Sequence, residues 1–140
     1  MVISVDFDGT IVEHAYPKIG KEIPFAFDTL KRLQNDGHLL ILFSVREGEL
    51  LDEAVEYCKK KGVEFYAVNS SDPESGDSRR TTRKVNADVF IDDHNLGGLP
   101  DWGIIYQMIK SGSPLQPYQG LDEQHIKNKK NKGLLSRLFS

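Results

Sequence analysis

Acidic side chains gather at two points of this chain. Asp6 and Asp8 stand two residues apart in Asp6-Phe7-Asp8-Gly9-Thr10, and Asp92 and Asp93 are adjacent. Each group follows a short apolar run, Val2 to Val5 for the first and Val89 to Ile91 for the second. Such carboxylates suit Mg²⁺, which takes oxygen ligands in near-octahedral geometry; Asp6, Asp8, Asp92 and Asp93 are the candidate metal ligands. A carboxylate held beside that cation can attack a phosphate ester, whose ring of negative charge otherwise repels it. Ser44, at the end of the apolar run Leu39 to Phe43, can donate a hydrogen bond to the transferring group, and Lys84 or its neighbour Arg83 can bring positive charge. Arg46 has two readings: a bidentate grip on a substrate phosphate or carboxylate, or a surface ion pair with Glu47 or Glu49.

These residues need elements to position them. Val2 to Val5 and Leu39 to Phe43 are continuous apolar runs, the pattern of parallel strands buried on both faces. Val63 to Val68 alternates and reads as a third strand, and Val85 to Ile91 contains a fourth. Between them, Phe27, Leu30 and Leu33 recur at helical spacing over 25–36, with Gly37 as the stop. Leu50, Leu51, Ala54, Val55 and Cys58 form a second helical stripe that ends at Gly62. Trp102, Ile105 and Ile109 fit either a last helix over 101–110 or an edge strand, since Gly103 and the β-branched residues weaken the helix. Strands alternating with amphipathic helices predict a doubly wound, Rossmann-like α/β fold with a parallel sheet, in which ligands sit beyond the carboxyl ends of the strands. Asp6, Ser44 and the pair Asp92 and Asp93 would then open onto one crevice.

The segment Asp6-Phe7-Asp8-Gly9-Thr10 resembles the signature of the haloacid dehalogenase-like superfamily, and Ser44, Lys84 and Asp92-Asp93 match its later motifs in order. The resemblance spans about residues 1–93. It implies a three-layer α/β/α architecture and a Mg²⁺-dependent phosphatase. Asp6 is then the nucleophile that becomes an aspartyl phosphate. Asp8 lends its backbone carbonyl to the metal, and its free side chain serves as general acid and then base. Ser44 and Lys84 complete the catalytic set, and Gly9 and Thr10 join Arg46 as substrate-binding residues. An aspartate at position 8 goes, within that superfamily, with phosphatases and phosphotransferases. The chain has room for neither usual inserted cap, so the expected form is small and capless. The open crevice then needs a bulky phosphorylated substrate or a second copy of the chain to cover it.

With 140 residues and a formal charge of −3, the chain fits one catalytic domain and has no global field that would attract nucleic acid or an anionic membrane. One cysteine, Cys58, excludes an internal disulfide and fits a reducing, cytoplasmic setting. The beginning lacks the basic leader of a signal peptide, and no apolar stretch is long enough to span a bilayer. The core is expected over 1–112 and a basic C-terminal tail over 113–140, read as disordered, self-docking or lipid-touching. His94 beside the acidic pair reads as an exposed loop residue or a substrate contact. His14, His38 and His125 share no ligand spacing, which argues against a zinc site. The rivals to a phosphatase are a receiver-type phosphoacceptor module, whose acceptor would follow the third strand, and a phosphate- and Mg²⁺-binding scaffold without turnover.

Overall fold

A computed structural model describes residues 1–74 and 85–112 of the chain. Lys84, its neighbour Arg83 and the expected tail over 113–140 lie outside the described residues. Four parallel strands form one sheet: β1 (Val2–Val5), β2 (Leu39–Leu42), β3 (Ala67–Val68) and β4 (Val89–Ile91), in the spatial order β3-β2-β1-β4. The chain steps outward from β1 to β3, then returns across the sheet so that β4 pairs with the other side of β1. The strand bearing the first acidic motif therefore lies between those bearing Ser44 and Asp92-Asp93.

Three helices connect or follow these strands, α1 (Ala26–Asn35), α2 (Gly48–Lys60) and α3 (Trp102–Ser111). The register that opposes Ile3 to Leu40 and Val89, and Val5 to Leu42 and Ile91, sends all six side chains to one face of the sheet. That face packs with Leu30 and Leu33 of α1, Ala54 and Cys58 of α2, and Trp102, Ile105 and Ile109 of α3 in a single core. A smaller apolar group on the opposite face joins Ile41 and Ala67 to Val85, with Val2, Phe43 and Ala87 against it. The result is a small α/β protein with a parallel sheet. Among the described residues no helix is long and apolar enough to cross a membrane.

Two expected strands are shorter than their apolar runs. Val63 is buried and Phe65 packs beside the core, but only Ala67 and Val68 of the third run pair in the sheet. The backbone N–H of Val63 is still closing α2, donating to the Cys58 carbonyl at 3.0 Å, so the chain reaches the sheet late. In the fourth run, Val85 and Ala87 cover the opposite face before pairing begins at Val89. Backbone bonding to the neighbouring strand begins only at the Tyr66 N–H, which donates to the Leu40 carbonyl at 2.7 Å, and at the Asp88 N–H, which donates to the Val2 carbonyl at 2.8 Å, so the earlier apolar residues of both stretches report burial. The region 101–110, open between helix and strand, is helical: Trp102, Ile105, Tyr106 and Ile109 form its buried stripe, and Gly103 falls on the exposed side.

Candidate functional site

The chain leaves β1 through a tight loop around the Phe7 carbonyl, which accepts from the N–H groups of Thr10, Ile11 and Val12 at 3.2, 2.9 and 3.3 Å. Phe7 and Ile11 turn into the core, and Asp6 and Asp8 flank Phe7. Gly9 has φ 83, a backbone conformation that costs other residues energy. A Cβ there would also collide with the His14 ring and the Asp93 carboxylate. Thr10, expected at the substrate, instead stitches the site from behind: it is fully buried and its hydroxyl donates to Asp6 Oδ2 at 3.1 Å and accepts from the Asp93 N–H at 3.1 Å. Its carbonyl takes the indole N–H of Trp102 at 2.9 Å, tying the first loop to α3.

Asp6, Asp92 and Asp93 come together, each offering a carboxylate oxygen within 4.8 Å of the others. Burial first, and then the charge on Asp92, push the Asp6 carboxyl up to about 7. Burial also works against the charge on Asp93, but hydrogen bonds from His14 and Asp6 outweigh it and hold that carboxyl below the usual range. One oxygen of Asp92 accepts the His94 N–H at 2.9 Å, a turn that fixes the carboxylate beside Asp6. A half-buried nest of three carboxylates, one of them held partly protonated by burial and by the charge beside it, is a donor set that fits a hard divalent cation.

Asp8 is not part of that nest. Its carboxylate is clasped by Arg46, whose Nε donates to Oδ2 and Nη2 to Oδ1, both at 2.7 Å. Arg46 is 0% exposed, so neither sequence reading of it, as a substrate grip or a surface pair with Glu47 or Glu49, describes its place. Its remaining donors reach the carbonyls of Pro17 at 3.1 Å and Lys18 at 2.9 Å, and its guanidinium lies over the rings of Phe7 and Tyr16. The Asp8 side chain, expected to be free, thus has a fixed partner. One guanidinium joins the β2 end, the β1 loop and the 14–21 loop.

Ser44 stands beside them. Its N–H donates to Asn69 Oδ1 at 2.7 Å and its Oγ accepts from the Arg46 N–H at 3.1 Å, while no hydrogen bond from its own O–H is found among the described residues. Asp6, Asp8, Ser44 and Asp92 line a crevice of about 440 Å³, together with His14, Tyr16, Asn69 and His94. His14 and Tyr16 come from the loop between β1 and α1, whereas Asn69 had no signal in the sequence beyond ending a strand. Asn69 adopts φ 51, a conformation asparagine tolerates better than most residues, and this aims its amide at Ser44.

No protein-family model matches the chain, and no curated protein matches it. A solved structure, that of a conserved protein coded by a locus of Bacteroides thetaiotaomicron, is similar to it with a TM-score of 0.74 and 64% sequence identity, covering 80% of this chain and 91% of that one. At that identity, and over most of both chains, the protein belongs to the same family as the conserved Bacteroides protein.

Proposed function

We propose that the chain is a Mg²⁺-dependent phosphomonoesterase of the haloacid dehalogenase-like type, capless, with a doubly wound sheet and Asp6 as its covalent nucleophile. The carrying observation is the nest of Asp6, Asp92 and Asp93 at the carboxyl ends of adjacent strands, whose mutual repulsion a divalent cation would relieve. The parallel order β3-β2-β1-β4 and the four motifs along the chain support the same reading. Asp6, Asp92 and Asp93 would hold the ion, which supplies the positive charge that a phosphoryl group needs before a carboxylate can approach it.

The chain's own groups do the rest. Thr10 fixes the rotamer of Asp6 through its hydroxyl, so that one carboxylate oxygen is oriented and the other stays open to attack phosphorus. Ser44 has its hydroxyl proton to give to a phosphoryl oxygen. Asp8, held at the crevice wall by Arg46, gives a proton to the leaving alcohol as the aspartyl phosphate forms and then takes one back from the water that hydrolyses it. Arg46 positions Asp8 and does not meet the substrate. Positive charge at the phosphoryl group is assigned to Lys84, or its neighbour Arg83, by the resemblance alone. The 14–21 loop supplies one wall of the crevice, and a bulky phosphorylated substrate or a second subunit supplies the lid.

The test is release of inorganic phosphate from a general phosphomonoester by the purified chain with Mg²⁺ and with EDTA. Turnover that needs Mg²⁺ and vanishes in Asp6→Asn is expected; undiminished turnover in that variant refutes the assignment. The receiver-type alternative asks for an acceptor aspartate after β3, where Asn69 stands.

A further inference from the structure

The sequence offered no histidine spacing for a metal, but the fold brings two histidines to one carboxylate. His14 Nε2 lies 2.8 Å from Asp93 Oδ2, and His94 Nε2 lies 3.9 Å from the same oxygen. Ligand atoms of His14, Asp93 and His94 all fall within 4.8 Å of one another, and the two imidazoles stack with centroids 6.1 Å apart. Ligands about 2.1 Å from a metal ion are about 3.0 Å apart at octahedral angles and about 3.4 Å apart at tetrahedral angles. The spacings found here straddle those values, so small side-chain rotations bring all three onto one ion.

The backbone is built to hold this arrangement. Only a residue without a Cβ lets the His14 ring and the Asp93 carboxylate meet over position 9. The loop carrying His14 is closed by the Glu13 N–H donating to the Lys21 carbonyl at 2.8 Å, and is pinned from below by Arg46. His94 is set by the turn in which its N–H donates to Asp92. Both imidazoles are largely exposed, with side chains 59% and 82% accessible, so an ion can enter and waters can complete its shell.

We propose that His14, His94 and Asp93 form a second cation site that takes a borderline divalent ion such as Zn²⁺. Its chemistry differs from that of the carboxylate nest. Imidazole nitrogen binds Zn²⁺, Ni²⁺ or Cu²⁺ far better than Mg²⁺, which prefers the oxygens of Asp6 and Asp92. Asp93 belongs to both groups, presenting Oδ2 to the histidines and Oδ1 toward Thr10. The site stands on these three side chains and does not depend on the proposed hydrolysis.

Titration of the full chain with zinc chloride in millimolar Mg²⁺, read by competition with a chromophoric chelator, tests it. One equivalent should bind, and His14→Ala and His94→Ala should each weaken binding by about tenfold or more. His38→Ala, His125→Ala and Asp6→Asn should bind as the wild type does. No binding, or binding that either His14→Ala or His94→Ala leaves unchanged, overturns the site while leaving Mg²⁺-dependent phosphate release to stand or fall by itself. Loss of binding in His38→Ala or His125→Ala instead also overturns it.

Discussion

Replacing Arg46 by methionine removes the guanidinium and keeps much of the side-chain volume. In the native protein this group is wholly buried and donates four hydrogen bonds, two to Asp8 and one each to the carbonyls of Pro17 and Lys18. Removing one member of a buried ion pair costs about 3–5 kcal/mol, because the other charge is left without a partner. The Asp8 side chain is only 9% exposed, so water cannot replace the lost donors without rearrangement. The two loop carbonyls add little, since the loop can shift to hydrate them. Against a total stability of about 5–15 kcal/mol, Arg46→Met is a severe change. For a domain of this size it should lower the melting temperature by about 10–20 °C. The double variant Asp8→Leu/Arg46→Met, with neither charge present, should recover much of that loss. Thermal and urea unfolding followed by circular dichroism measure both. Trypsin adds a local reading, because Lys18 and Lys21 lie in the loop that Arg46 pins and should be cut sooner in Arg46→Met than in the wild type. A loss below about 1 kcal/mol, the range of an exposed pair, would refute the buried clasp. So would strict additivity of the Asp8 and Arg46 substitutions.

In EDTA, Asp6 is protonated more readily in the folded chain, at about 7, than in the unfolded one, so metal-free stability should fall as pH rises from about 4 to about 7. Asp6→Asn should flatten that decline and be more stable than the wild type at pH 8 in urea melts, while losing phosphate release; a steeper decline in the variant would contradict the buried charge. Gly9→Ala should cost at least about 1–2 kcal/mol from its positive φ alone, and more from the collision with His14; unfolding at the wild-type urea midpoint would count against both. Burial pushes the Cys58 thiol up to about 12, so at pH 8 only about one molecule in ten thousand carries the thiolate. A disulfide dye should therefore label Cys58 promptly only in denaturant. Trp102→Phe leaves the Thr10 carbonyl without its buried donor and should cost about 1–3 kcal/mol, measured by chemical unfolding.

Much of the sheet was legible because buried parallel strands are written as uninterrupted apolar runs. Val2 to Val5 and Leu39 to Leu42 pair as expected, and helix periodicity located α1 and α2 to within a few residues. The residues of the acidic nest were legible for a related reason: a carboxylate directly after a buried strand has nowhere to go but the sheet's end. The partners were not legible. Arg46 pairs with Asp8 across 38 positions, and His14 with Asp93 across 79, distances at which local pattern carries no information. Thr10 is expected at the substrate only through the motif it completes, and a place in a motif does not say which side of the Asp6 carboxylate the hydroxyl occupies.

One clue to Arg46 was present and ran against habit. In Ser44-Val45-Arg46 the apolar residue is 88% exposed and the charged one 0%, so the chain turns its polar side inward at this bend. Burial of that kind is stable only where a charge already waits, and Asp8 is that charge. Arg46 spends its donors on Asp8 and the 14–21 loop, and none reaches Asp6, Asp92 or Asp93. Among the described residues, the nearest relief for those three carboxylates is the proton that Asp6 tends to keep and the imidazole of His14. A cation in the nest would displace that proton and leave Asp6 ionised at neutral pH. Under the proposed mechanism that is the form the nucleophile needs, and burial, with the charge on Asp92 behind it, would be what makes Asp6 depend on such a cation.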